Sequence, residues 1–256
     1  MNQSPPGPVL FARYAYPPNE LGYCGPPDPA SLREASEDLD MVRLSQLATK
    51  FSGAWPYLEL IADRNGISDP LDARVVEAYW VGNALLEHVP VSALVSSLRG
   101  RFAGSAGHRL GPIASTVPMG GVCNHSLHVF AVYPWFGLLR SGIDGPPLTV
   151  LDRCRIRWGR VESVVGDRVT VRNRILVFEK SQLILGPERS EVARRSIDGI
   201  GLAPDVQVDD IVSLHWDWVC DRLSPEALAS LKRCTAVNLA AVNALPVSRP
   251  SGVGGS

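Results

Sequence analysis

A strand, a tight turn and a second strand are predicted by the stretch Val164-Val165-Gly166-Asp167-Arg168-Val169-Thr170-Val171. Just before it, polarity alternates as in a β-strand along the run Cys154-Arg155-Ile156-Arg157-Trp158-Gly159-Arg160-Val161. Further strands are predicted at 175–178 and 183–185, and the last one at Ile211–His215. Short strands with frequent turns are typical of a small barrel of the OB or SH3-like type.

The half of the chain before this region predicts helices. Within residues 30–104, apolar side chains such as Met41, Leu44 and Leu47 recur at three- and four-residue spacing, and about five short helices are expected. After the strands, Ser224 and Pro225 are a typical cap and first residue of a C-terminal helix. We therefore expect an α+β protein with an N-terminal helical domain, a small OB/SH3-like β-barrel and a C-terminal helix.

Composition suggests four parts. Residues 1–30 contain eight prolines and predict an extended arm with polyproline II character. A mainly helical domain at 31–148 includes an apolar segment with two histidines, and 149–245 holds the barrel with its terminal helix. The Gly- and Ser-rich residues 246–256 are expected to be a disordered tail.

Charge and hydropathy exclude several classes of protein. The formal net charge is -1, with 45% hydrophobic and 20% charged residues, which argues against nucleic-acid binding by bulk electrostatics. Arg153, Arg155 and Arg157 are predicted on one face of a strand, and a solvated outer face is the simpler interpretation. No run of 18 apolar residues predicts a membrane span, and the first residues lack signal-peptide features, so a cytoplasmic protein is expected.

The five cysteines form no CxxC pair, which argues against a disulfide framework or a zinc knuckle. His125 and His128 are three residues apart, a spacing that places two imidazoles on one helix face, where they could share a metal ion. A metal site needs more ligands than this pair supplies. The alternative is a pair of buried or capping histidines beside an apolar segment.

A cysteine-dependent enzyme is a second possibility. Cys24 lies between glycines and prolines on a predicted turn, where a thiol can be reactive, and Arg13 could lower its pKa or bind an anionic ligand. Cys24 or Cys123 would be the nucleophile and His125 or His128 the base, at a site between the helical domain and the barrel. The alternative for Cys24 is a small buried residue that fixes the arm. The common P-loop, dinucleotide, G-x-S-x-G and HExxH motifs are absent from the sequence.

The order of features from Leu151 to Val242 resembles the HypC/HupF family of hydrogenase-maturation chaperones. A cysteine, a small barrel, the stretch Val208-Asp209-Asp210-Ile211-Val212-Ser213-Leu214-His215 and a terminal helix follow one another. The resemblance implies that Cys154 contacts an iron centre or the client, and that His215 corresponds to the family's strand-end histidine. Cys154 follows 153 residues here, whereas the family's cysteine directly follows the initiating methionine.

The chain also resembles an uncharacterised actinobacterial family associated with [NiFe]-hydrogenase gene clusters, through segments such as Phe11–Asn19, Ala78–Asn83 and Leu214–Trp218. Together the two resemblances imply an accessory chaperone whose client is a hydrogenase large subunit or a maturation factor, with His125, His128 and Cys154 handling iron or nickel. An enzyme, or an interaction module without a chemical site, remains an alternative. The residues expected to bind client or ligand are Arg13, Tyr14, Asn19, Cys154, His215, Trp216 and Trp218.

Overall fold

A computed structural model describes residues 5–102, 117–143, 145–203 and 205–246. The chain is a mixed α+β protein, as expected. Along the sequence, helices come first, five strands of one sheet follow, and a helix comes last. The tail expected to be disordered lies, after Pro246, outside the described residues.

The first hundred residues are mainly helical, which confirms the prediction for 30–102. A single 3₁₀ turn at Ala84–His88 separates the last two helices of this region. The helices are α1 (Gly7–Glu20), α2 (Ala30–Glu37), α3 (Met41–Ala48), α4 (Trp55–Arg64), α5 (Ala73–Trp80) and α6 (Val91–Phe102).

Helix α1 corrects the prediction of an extended arm at 1–30. Its first turn tolerates Pro8, because the first N–H groups of a helix have no partner within the helix. Pro17 and Pro18 lie inside the last turn, where their missing N–H groups remove the helical hydrogen bonds to the carbonyls of Arg13 and Tyr14. Burial stabilises this helix: Phe11 is fully buried and packs edge-on against Phe51, with ring centroids 5.3 Å apart. The proline count therefore misled the prediction, and the aromatic content was the better guide.

The segment with the two histidines is a broken helix. A short turn, α7 (His125–Leu127), continues as a π-helical turn at His128–Val132. Pro134 is then the cap residue that precedes α8 (Trp135–Arg140).

Helix α9 (Pro146–Cys154) follows, so Cys154 ends a helix and does not open a strand as predicted. Two prolines at its first positions favour this helix, which the alternating pattern from Cys154 onward concealed.

Five strands follow α9. They are β1 (Arg157–Val165), β2 (Arg168–Glu179), β3 (Gln182–Arg194), β4 (Ile211–His215) and β5 (Trp218–Arg222). The predicted hairpin is confirmed, with the β1–β2 turn at Gly166 and Asp167. The strands pair in the order β1-β2-β3-β5-β4, and β4 pairs with β1, so the sheet closes on itself. Residues 175–178 and 183–185 lie in strands as predicted, although these strands are longer than expected. The prediction that Ile211–His215 is the last strand was wrong, because β5 follows it.

The predicted solvated arginine face was also wrong. Arg155 and Arg157 are each 1% exposed. Arg155 is paired with Asp152 at 2.9 Å, and Arg157 with Glu191 and with the backbone carbonyl of Trp216. Buried charge is tolerated only when it is paired. Arg157 therefore links β1 to β3, and Arg155, just before β1, links α9 to β2.

The chain ends in α10 (Pro225–Asn243), whose Ser224 side chain accepts a hydrogen bond from the N–H of Ala227, as predicted. One apolar core includes side chains from both sides of the predicted boundary at 148/149, among them Tyr57, Leu151, Leu176 and Leu231. The division into two domains stays a prediction. What the structure shows is that the helices and the sheet are packed against each other through this core.

Candidate metal centre

Three residues distant in sequence bring potential metal ligands together where the helices meet the sheet. His125 lies in α7, Cys154 ends α9 and His215 ends β4. One ring nitrogen from each histidine and the thiol sulfur all lie within 4.8 Å of one another. The three side chains also line one cavity of about 160 Å³. Two imidazoles and a thiol at this spacing form a donor set that suits transition metals.

The orientation of His215 is fixed by a proline in α1. Pro18 has no N–H, so the helical hydrogen bond that would end at the carbonyl of Tyr14, four residues earlier, cannot form. That carbonyl instead accepts a hydrogen bond from Nδ1 of His215 at 2.6 Å. The proton is therefore on Nδ1, and Nε2 carries the lone pair; this nitrogen is buried and has no hydrogen-bond partner. A backbone carbonyl on one ring nitrogen and a free lone pair on the other is the usual arrangement of a metal-binding histidine.

His125 is held from both sides. Its Nε2 donates to the backbone carbonyl of Cys154 at 2.8 Å, and its Nδ1 lies 3.2 Å from the hydroxyl of Tyr79. A metal ion on His125 would replace one of these two hydrogen bonds.

Aromatic rings surround the two histidines. The Trp80 ring centroid is 4.6 Å from that of His125 and 5.6 Å from that of His215, and the two imidazole centroids are 5.1 Å apart. On the other side of the cavity, Trp216 stacks on Tyr23 with centroids 4.4 Å apart. These rings give the cavity aromatic walls, and the burial of both imidazoles strengthens electrostatic interactions at the site.

Burial keeps the imidazoles neutral. Desolvation lowers the pKa of His125 from 6.5 to about 4, and that of His128 to about 3. Desolvation also lowers the pKa of His215 well below its usual value, and the nearby His125 adds to this effect. At neutral pH all three rings are therefore uncharged, which is the form that binds a metal ion.

Cys154 shows the opposite behaviour. Burial raises the pKa of its thiol, and the indole N–H of Trp216 offsets only part of that rise. Without a metal ion the group is therefore a thiol at neutral pH. Binding a metal would release this proton, because the thiolate is the form that coordinates.

The group of close ligand atoms differs from the predicted metal-binding residues in one position. His125 and Cys154 come together as expected, while His215, which we had expected to bind a client, takes the third place in the group. His128 lines the same cavity, with its ring centroid 6.3 Å from that of His125, and its Nδ1 lies 3.3 Å from the Tyr57 hydroxyl.

The structure does not support an activated cysteine nucleophile. Cys24 lines the cavity, and Cys123 is fully buried in the core. Burial raises the pKa of each thiol to about 12, which is the reverse of the shift that a nucleophilic cysteine requires.

The other predicted binding residues have structural partners. Asn19 donates to the carbonyls of Cys24 and Pro26 at 2.8 and 2.7 Å, so it holds the loop that carries Cys24. The indole of Trp218 donates to Glu20 at 3.0 Å. Trp216 is the one aromatic of this predicted pair that lines the cavity.

Arg13 and Tyr14 lie at a second, larger cleft of about 620 Å³ between α1, α5 and the start of α10. Arg13 pairs with Asp221 at 3.2 Å, and the Tyr14 hydroxyl lies 2.9 Å from that of Ser213. The Arg13 guanidinium is thus paired with Asp221. It does not lower the pKa of the Cys24 thiol, because burial raises that pKa.

Three residues important for the site were not identified from sequence. Tyr79 and Trp80 were named only within the segment 78–83 that carries the family resemblance, and both contact His125. Asn238 in α10 is fully buried and donates to the side chains of Asn124 and Ser126 at 2.9 and 2.7 Å, next to His125. A polar residue among the apolar positions of a terminal helix was the available signal.

A family model matches residues 3–249 of the chain. The chain belongs to DUF6390, a family of unknown function. No curated protein and no solved structure matches this DUF6390 chain. Among helices of the described residues, none has both the length and the apolar character needed to cross a membrane.

Proposed function

We propose that this DUF6390 protein is an accessory protein of metalloenzyme assembly that holds a transition-metal ion, nickel or iron, on His125, Cys154 and His215. One observation carries the proposal: three buried or half-buried ligand groups of a N₂S donor set lie within 4.8 Å of one another. The unpartnered lone pair of His215 supports it, because a buried acceptor without a hydrogen bond costs free energy unless something binds there.

The proposed client is a [NiFe]-hydrogenase large subunit or one of its maturation factors. This part rests on the resemblance of residues 151–242 to HypC/HupF chaperones and on the suggested hydrogenase context of the actinobacterial family. The two residues that carry the first resemblance, Cys154 and His215, lie in the same three-residue group, which supports the comparison. We assign the closed five-stranded sheet to the OB/SH3-like class of small barrels on the same basis.

Metal content of the full chain tests the first half of the proposal. Protein purified without oxygen is analysed by mass spectrometry for iron, nickel, zinc and copper, because imidazole and thiolate ligands suit all four. We expect close to one nickel or iron per chain, and loss of most of it in Cys154→Ala and His215→Ala. His88→Ala at the surface and Cys234→Ala in α10 are matched controls that keep the metal. Equal metal content in all variants would refute the assignment of the ligands.

Co-purification tests the second half. The protein is expressed with a tagged large-subunit precursor in a hydrogenase-expressing host. Recovery of both proteins together supports the client, whereas a metal-loaded protein that never co-purifies with the precursor rejects this client and leaves the metal site standing.

A further inference from the structure

We infer that the metal ion has a fourth coordination position that opens into the aromatic cavity and takes a small monoanionic ligand from outside the chain. The inference rests on the proposed metal site and adds the chemical class of what binds there.

The number of protein ligands leaves a position free. Nickel(II), iron(II) and zinc(II) take at least four ligands. In zinc proteins, structural sites use four protein groups, whereas sites that bind a further molecule use three. Within the described residues, the group contains His125, Cys154 and His215 and no fourth His, Cys, Asp or Glu. The fourth position is therefore available to an external ligand.

The cavity supplies the space for that ligand. Its volume is about 160 Å³, and the three ligand residues are part of its wall. An engineered protein cavity of about 150 Å³ accommodates benzene, so this one has room for a molecule of about six non-hydrogen atoms. Tyr23, which is 51% exposed, and the half-buried Trp135 lie on the rim and place the cavity next to solvent.

The charge of the site selects an anion. A divalent ion with one thiolate and two neutral imidazoles has a net charge of about +1. Among the described residues that line the cavity, no Asp, Glu, Lys or Arg is present to balance it. A net charge in a water-poor site costs free energy, and one negative charge on the fourth ligand removes that cost.

The side chains that line the cavity favour a small ligand whose uncharged part is apolar. Phe51, Tyr79, Trp80 and Trp216 line the cavity with aromatic side chains, and the indole N–H of Trp216 is a potential donor. A singly charged donor atom on a small, otherwise apolar group fits this lining. Azide and small alkyl or aryl thiolates belong to this class.

Cobalt(II) loaded on the full chain provides the test. A thiolate-to-cobalt charge-transfer band in the near ultraviolet reports the Cys154 bond, and the visible d–d bands report the other ligands. We expect azide to shift the d–d bands saturably, and neutral imidazole to bind about tenfold or more weakly, because only the anion neutralises the site. Benzenethiolate should bind and a naphthalenethiolate should not, since only the former fits the cavity.

The outcomes separate the two proposals. Absence of the charge-transfer band would refute the metal site itself. A normal band with d–d bands that azide leaves unchanged would refute the open position while the metal site stands. Imidazole binding as tightly as azide would refute selection by charge. Weakening of the charge-transfer band in Cys24→Ala would identify the fourth ligand as the chain's own thiol and overturn the inference, whereas an unchanged band supports it.

Discussion

The metal-free protein should lose stability as the pH falls below about 6.5, which is well above the pH range in which carboxylates titrate. His125 and His128 are buried as neutral rings with pKa values of about 4 and about 3, while in the unfolded chain each returns to 6.5. Because the folded pKa values are depressed, the unfolded state binds more protons between these limits. The stability is complete above pH 6.5 and is lost as the pH falls toward the folded values.

The magnitude follows from the same pKa values. At pH 5 one such histidine is mostly protonated in the unfolded chain and almost unprotonated in the folded chain. This difference lowers the free energy of unfolding by about 2 kcal/mol relative to pH 7.5. Two of them give roughly 4 kcal/mol, a large part of the 5–15 kcal/mol that is usual for a folded protein. His215 acts in the same direction.

Urea unfolding in the presence of a chelator, followed by tryptophan fluorescence at pH 7.5 and 5.0, measures this loss. In His128→Gln we expect the difference between the two pH values to shrink by about 2 kcal/mol, because one titrating group has been removed. His88→Gln, at the surface, is the matched control. If His128→Gln and the unmodified protein lose the same stability between these pH values, the reasoning from buried neutral histidines is wrong.

Three further substitutions test the packing around the site, each measured as a change in the urea midpoint. Gly82→Ala should cost about 2 kcal/mol or more, because Gly82 has a φ of 101° and a Cβ there would lie 2.5 Å from Sγ of Cys234. Arg157→Met should cost about 3 kcal/mol, because it leaves the buried carbonyl of Trp216 without its donor and removes one of three partners of the Glu191 carboxylate, whereas Arg153→Met, at a more exposed partner, should cost less. Asn238→Ala should cost about 2 kcal/mol or more, because it removes the partners of buried polar groups beside His125.

Each of these predictions has an outcome that contradicts it. An unchanged midpoint in Gly82→Ala would mean that α10 does not pack closely on the residues after α5. A loss of stability in Arg153→Met as large as that in Arg157→Met would show that the burial of Arg157 is not the cause. An Asn238→Ala protein as stable as the original would remove this side chain from the support of the site.

Local patterns gave part of the fold. The Gly166-Asp167 hairpin and the Ser224-capped terminal helix were correctly predicted, because a turn and a cap depend on residues adjacent in sequence. Helix α1 was missed because burial of side chains such as Phe11 outweighs the local preference of prolines. The burial of Arg155 and Arg157 could not be foreseen either, since Asp152 and Glu191 reach them only in the folded chain.

The candidate site was only partly predictable for the same reason. His125 and Cys154 were identified from their residue types and from the family resemblance, and the three-residue spacing correctly indicated that His125 and His128 share a face, since both line the cavity. That spacing could not supply a ligand group distant in sequence. The partner that the fold supplies, His215, is 90 residues farther along the chain, and no local periodicity connects the two.

The contact between His215 and the Tyr14 carbonyl group also sets when the site can exist during synthesis. The two residues are separated by 201 positions, so at typical elongation rates of about 5–20 residues per second roughly 10–40 s pass between their incorporation. A nascent chain therefore exposes Tyr14, His125 and Cys154 in turn without being able to assemble the three ligand groups. The complete ligand set of the proposed site can form only after His215 has been synthesised.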